Sequence, residues 1–127
     1  MPPTRLLVID DDKEIGQLIR TVAEAEGIEA RAASDIGSFK AAEDLLKPDI
    51  IVTDILMPDV DGIEVLKYLA ERRSKARIII LSSGDVEVRR MAKELGEAYR
   101  LNIVANLGKP LRIDDFRRQL AALKLAE

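Results

Sequence analysis

The sequence predicts an α/β domain in which a single five-stranded parallel sheet carries helices on both faces. Three observations lead there. Short apolar runs rich in Ile, Val and Leu recur five times within 127 residues. Each run is followed by a stretch whose apolar residues fall at helical spacing. No linker, low-complexity tract or further repeat interrupts the alternation. Strands separated by helices return in parallel, and right-handed crossovers leave few arrangements other than a sheet covered on both sides. The length suits one domain, residues 1–127, able to bury roughly two thirds of the surface its unfolded chain exposes.

The elements follow in order. "RLLVI", residues 5–9, is the first strand, and Ile15, Leu18, Ile19 and Val22 mark a helix that ends near Gly27. "IEARAA", residues 28–33, is the second strand, followed by a helix with Ile36, Phe39, Ala42 and Leu46 on one face. "DIIVTD", residues 49–54, is a β-branched run suited to a central strand, and Val65, Leu66, Leu69 and Ala70 stripe the next helix. "RIIIL", residues 77–81, is the fourth strand, with Val88, Met91, Ala92 and Leu95 on a helix that continues past Gly96. "NIVANL", residues 102–107, carries the weakest strand signal, and Ile113, Phe116, Leu120 and Leu123 stripe the last helix.

Composition narrows the chemistry. With 47% apolar and 34% charged residues and no apolar run near the ~20 residues of a membrane helix, the chain is expected to be soluble. The start, "MPPTRLLVID", lacks the basic flank and long apolar core of a signal peptide, so a cytoplasmic location is expected. Cysteine and histidine are both absent, which removes thiol nucleophiles, the commonest general base and the usual zinc ligands. A net charge of -3 and 3% aromatic residues offer neither a basic field nor stacking platforms for nucleic acid.

In open α/β sheets, ligands sit beyond the carboxyl ends of the strands where strand order reverses. For five strands in the flavodoxin-like order 2-1-3-4-5, that reversal lies between the first and third strands. Asp10 and Asp11 end the first strand, Asp54 the third, Ser82 and Ser83 the fourth, and Lys109 the fifth. Two carboxylates ~5 Å apart repel by about 3 kcal/mol at an effective dielectric near 20, so the cluster should raise at least one pKa and attract a divalent cation. Oxygen ligands alone favour Mg²⁺ or Mn²⁺ over zinc.

Local alternatives stand beside these assignments. Asp12 reads best as a helix N-cap, and for Asp10 and Asp11, each taken alone, the same helix-start role stands level with the cation-binding one. In "MPDVDG", residues 57–62, Pro58 pushes Met57 out of helical space, and Asp59 and Asp61 are turn residues, Asp61 a cap. Gly62 is expected in the left-handed conformation that a tight connection needs. Ser82 is preferred to Ser83 because Ile78 to Leu81 fill the strand and leave Ser82 at its tip. Pro110 restricts Lys109 to an extended backbone and leaves the isomer of their peptide bond open. The charge runs at 71–77 and 117–118 read as solvated faces.

An acid pair, a lone acid, a hydroxyl and a Lys-Pro pair, in order at the ends of strands one, three, four and five, resemble a response regulator receiver domain of two-component phosphorelay signalling. The resemblance covers essentially the whole chain. It implies that Asp54 is the phosphoacceptor and that a sensor histidine kinase or histidine phosphotransfer protein is the donor. It further implies Mg²⁺ held by Asp11 directly, Asp10 partly through water, Asp54 and the backbone carbonyl of Leu56. Ser82 and Lys109 would each bond a phosphoryl oxygen. Such a domain is a phosphoacceptor that assists its own phosphotransfer and dephosphorylation, not an enzyme in the ordinary sense. Its output face would be helix four, strand five and helix five, residues about 86 to 123, toward an unknown target.

Two positions depart from the family pattern. Many members carry an aromatic residue three before the lysine, where Asn106 stands here, and Phe after the Lys-Pro pair, where Leu111 stands. A Tyr or Phe rotamer switch therefore cannot operate at position 106. Two rival readings differ in class. Asp10-x-Asp12 resembles the first motif of haloacid-dehalogenase-type phosphohydrolases, which would make Asp10 a nucleophile, but Glu14 stands where that family usually has Thr or Val. The other rival is a receiver-like interaction module that is never phosphorylated.

Overall fold

Each apolar run forms a strand and each periodic stretch a helix. The structure is a computed structural model that describes residues 3–55, 62–82 and 86–125. The elements are β1 (Arg5–Ile9), α1 (Lys13–Ala25), β2 (Glu29–Ala33), α2 (Ile36–Leu46), β3 (Ile50–Asp54), α3 (Gly62–Glu71), β4 (Arg77–Ser82), α4 (Val86–Ala98), β5 (Asn102–Gly108) and α5 (Ile113–Leu125). All four pairings are parallel and the order is β2-β1-β3-β4-β5. The expectations for Leu56, Met57, Pro58, Asp59, Asp61 and Ser83 lie outside the described residues.

Side chains alternate across a strand, so the sheet builds two cores. Leu7, Ile9, Ile51, Ile78 and Ile80 pack with Phe39 and Leu46 of α2, Val65, Leu66 and Leu69 of α3 and Ala92 of α4. Leu6, Val8, Ile50, Val52, Ile79 and Leu81 face Ile19, Val22 and Ala23 of α1 and Phe116, Leu120 and Leu123 of α5. β1, β3 and β4 are covered on both faces, which is why they read as continuous apolar runs. β5 is half-buried from Ile103 onward and carries a register shift, Ile78 pairing Ile103 but Ile79 pairing Ala105. Its pattern is weak for that reason.

Several details correct the expectations. Leu18 is 44% exposed, because the buried stripe of α1 runs through Gly16, Ile19, Val22 and Ala23, and Leu18 lies about 100° off it. Met91 is 37% exposed on α4, where Ala92 makes the buried contact. Arg77 is no part of a solvated face: half-buried, it donates through Nη1 to the carbonyl of Leu123 at 2.8 Å and ties β4 to the end of α5. Glu43 is buried on α2, paired with Arg72 and accepting from the Tyr68 hydroxyl at 3.3 Å.

Two glycines are fixed by close approach. Gly62 is helical and not left-handed, which overturns the conformation expected of it. A Cβ there would stand 2.5 Å from the backbone oxygens of both Asp54 and Ile55, so α3 can start against the end of β3 only without a side chain. Gly96 lies where α4 crosses β5, and a Cβ would come 2.3 Å from Cγ1 of Ile103. Gly96→Ala gains helix propensity but overpacks this crossing. A net loss of about 1–2 kcal/mol is expected, seen as a fall in Tm, and an unchanged melt would contradict the close packing.

Candidate functional site

The carboxyl ends of β1, β3, β4 and β5 converge at one edge of the sheet. The N–H of Asp10 bonds the carbonyl of Ala33 at 3.1 Å, extending the β1–β2 ladder by one residue and fixing Asp10 at the strand tip. Asp10 is only 1% exposed, and both its oxygens are engaged. Oδ1 accepts the N–H of Asp12 at 2.9 Å, and Oδ2 accepts from Lys109 Nζ at 3.0 Å. Asp12 is spent on α1, its carboxylate accepting from the N–H groups of Glu14 and Ile15. The capping role expected of Asp12 is the one it plays.

Asp54 ends β3 opposite Leu81, and the next N–H, of Ile55, bonds the carbonyl of Leu81 at 3.1 Å. Asp54 is buried and accepts from Lys109 Nζ. Lys109 is set by its own N–H, which bonds the carbonyl of Ser82 at 2.7 Å, and the Lys109–Pro110 bond is cis. A single ammonium thus bridges the acids at the ends of β1 and β3. Carboxylate oxygens of Asp10, Asp11 and Asp54 all lie within 4.8 Å of one another. Ser82 is fully buried at the tip of β4 and donates from Oγ to Oδ1 of Asn106 at 3.3 Å.

Electrostatics follow from this crowding. Three carboxylates against the ammonium of Lys109 leave two formal negative charges. Loss of hydration, then the hydrogen bond and charge of Asp10 and the charge of Asp54, push the Asp11 carboxyl above its ordinary 3.8, with Lys109 opposing. Burial alone would lower the Lys109 ammonium. The hydrogen bonds and charges of Asp54 and Asp10 outweigh it and raise the group above 10.5. An all-oxygen donor set with excess negative charge fits a hard divalent cation.

The structure therefore brings together Asp10, Asp11, Asp54 and Lys109, with Ser82 beside Lys109 through the backbone. Sequence reasoning missed what Asn106 does: besides accepting from Ser82, it donates from Nδ2 to the carbonyl of Arg89 in α4 at 3.3 Å. The available signal was an amide at a position flanked by apolar residues in a strand.

A parallel 2-1-3-4-5 sheet with an acid cluster and a lysine at its switch point defines a class of small α/β domains whose functional residues gather at the carboxyl ends of the strands. Comparison with known proteins narrows the class. Residues 6–121 match the response regulator receiver domain family. The receiver domain of the Francisella response regulator 1452 superposes with a TM-score of 0.81 at 31% identity, covering 97% of this chain and 98% of that one. The sporulation initiation phosphotransferase F of Bacillus subtilis is 29% identical over 116 residues, 89% of this chain and 87% of that protein. The alkaline phosphatase synthesis transcriptional regulatory protein PhoP of the same organism is 35% identical over 83 residues, 65% of this chain but 35% of that protein.

This chain belongs to the response regulator receiver family, and it is a phosphoacceptor signalling domain of two-component systems. Domains of this family bind Mg²⁺ through acidic residues and interact with histidine kinases or phosphotransfer proteins. The chain spans about a quarter to a half of the length of the first curated relatives it matches. Among the described residues no helix is long and apolar enough to cross a membrane.

Proposed function

We propose that Asp54 accepts the phosphoryl group, with Asp10, Asp11, Asp54 and the Leu56 carbonyl holding Mg²⁺, and Lys109 and Ser82 binding phosphoryl oxygens. The observation that carries this reading is the Lys109 ammonium shared by Asp10 and Asp54, with Asp11 in reach of both. Bound Mg²⁺ would offset negative charge on the carboxylates and on the transferring group.

Asp54 needs no general base, since an ionised carboxylate is already the nucleophile. One of its oxygens attacks phosphorus in line, a new P–O bond forms, and the bond from phosphorus to the donor atom breaks. The donor leaves with the electron pair, as imidazole from a phosphohistidine or acetate from acetyl phosphate. Lys109 is placed to follow the charge from the carboxylate onto an equatorial phosphoryl oxygen. Ser82, buried at the next strand tip, supplies a neutral O–H donor. Asp10 is fixed by the Asp12 N–H and by Lys109, which leaves the half-exposed Asp11 to meet an incoming cation directly.

In this reading the domain is no enzyme in its own right, although it assists its own phosphotransfer and dephosphorylation. It works in the cytoplasm, taking phosphate from a cognate histidine kinase or phosphotransfer protein and signalling through the face of α4, β5 and α5.

Acetyl phosphate with Mg²⁺ is expected to add one labile phosphoryl group, and Asp54→Ala to abolish the labelling. Labelling that survives in Asp54→Ala and vanishes in Asp10→Ala would support the hydrolase reading instead. A complete lack of labelling would support the unphosphorylated module.

A further inference from the structure

Asn106 holds two hydrogen bonds, one accepted from the Ser82 hydroxyl and one donated to the backbone of α4. Ser82 and Asn106 project to the same side of the sheet, since Ile80 pairs Asn106 and Ser82 pairs Gly108, and Ile80 packs on the α4 side. There the Ser82 hydroxyl donates to Asn106 Oδ1, and Asn106 Nδ2 donates to the carbonyl of Arg89, both at 3.3 Å. The Arg89 side chain lies over Gly108, and among the described residues its buried Nε meets no hydrogen-bond partner.

We infer that Asn106 is the positioning residue that couples Ser82 to α4, replacing an aromatic rotamer with a competition for the single Ser82 proton. The inference rests on the proposed role of Asp54 and Ser82. A hydroxyl has one proton to donate, and a phosphoryl oxygen accepts it in a charge-assisted bond roughly twice as strong as one to a neutral amide. Once that proton turns to a phosphoryl group on Asp54, Ser82 Oγ can only accept from Asn106.

The carboxamide then has no orientation that satisfies both neighbours. Kept as it is, Oδ1 faces a hydroxyl oxygen with no proton between them. Flipped, Nδ2 donates to Ser82 Oγ, but Oδ1 is turned on the Arg89 carbonyl, acceptor against acceptor. Either the amide or the α4 turn must move, and an orphaned polar group in a part-buried site is costly enough to drive the change. The groove between α4 and β5, lined by Val86, Arg89, Lys93, Ile103 and Asn106, is reshaped by that movement. The signal thus reaches α4 through its backbone at Arg89.

Beryllium fluoride with Mg²⁺, a tetrahedral stand-in for the phosphoryl group, tests this by amide NMR of the full chain. In the unsubstituted protein the Asn106 carboxamide and the backbone amides of 89–93 should shift. Asn106→Leu should accept phosphate from acetyl phosphate within about threefold of the unsubstituted rate and lose at least half of the shift at 89–93. Asn106→Asp, which can accept from Ser82 but sets a carboxylate on the Arg89 carbonyl, should show displaced 89–93 resonances before any addition. Shifts at 89–93 that persist undiminished in Asn106→Leu, or an Asn106→Asp spectrum unchanged in α4, would overturn the relay. If the unsubstituted protein takes neither beryllium fluoride nor phosphate, the phosphoacceptor reading itself fails, and the relay with it.

Discussion

Lys109→Met is expected to destabilise the metal-free protein by roughly 3 kcal/mol at neutral pH, the low end of what breaking a buried ion pair costs. The low end applies because the Lys109 side chain is 20% exposed, so water screens part of the effect. The substitution keeps the length of the side chain and removes the ammonium that bridges Asp10 and Asp54. Both acids are buried, and Asp11 stands within reach of each. The remaining carboxylates repel one another without a counter-charge.

The pH dependence has a definite sign. The folded pKa of Lys109 is raised above 10.5, so its contribution is fully present below that value and is lost as pH rises through the folded pKa. Unsubstituted protein and Lys109→Met should therefore differ most from neutral pH up to about pH 10 and converge in stronger alkali. Added Mg²⁺ should narrow the gap, because a divalent cation supplies the missing charge. Denaturant unfolding at pH 7.5 and above pH 11 measures both effects. A loss below about 0.5 kcal/mol at neutral pH, within the range of ordinary surface substitutions, would contradict the bridging role.

Asp11→Asn is expected to act in the opposite direction without metal and to remove the response to it. The Asp11 carboxyl is raised above 3.8 by lost hydration and by its acidic neighbours, so folding disfavours its charged form. Its contribution to stability is full below 3.8 and is lost as pH rises through the folded pKa. At pH 7 the charged group weighs against the fold, and the amide should leave the metal-free protein as stable as before or more so. At Mg²⁺ a hundredfold above its Kd the unsubstituted protein gains about 2.7 kcal/mol by linkage, and most of that gain should vanish in Asp11→Asn. Paired thermal melts with and without Mg²⁺ read both effects. A large loss of stability in the metal-free variant would contradict the repulsion and make Asp11 a structural residue.

The parts of this molecule that were legible in the sequence are those with a strong local cause. β1, β3 and β4 are apolar on both faces and announce themselves as runs, and their carboxyl ends place Asp10, Asp54 and Ser82 once the strand order is known. Asp12 followed by a helical stripe is a cap by local chemistry alone.

What stayed hidden depends on contacts distant in the chain. Glu43 looks like an exposed helix residue until Tyr68 of α3 and Arg72 just past its end arrive beside it. The need for glycine at 62 comes from the backbone of Asp54 and Ile55 and not from its own dihedral angles. Asn106 was legible as a departure from an aromatic pattern. Its two hydrogen bonds, to residues 24 and 17 positions away, were not.

The central claim is that the oxygen cage at the sheet edge makes the carboxylate of Asp54 the atom group that takes up phosphate. Reductive trapping tests it most directly: protein treated with acetyl phosphate and Mg²⁺ is reduced with borohydride, which converts an aspartyl phosphate to homoserine, and is then mapped by peptide mass spectrometry. Conversion at position 54 alone is the predicted result. Conversion at Asp10 or Asp11 with Asp54 intact would contradict it.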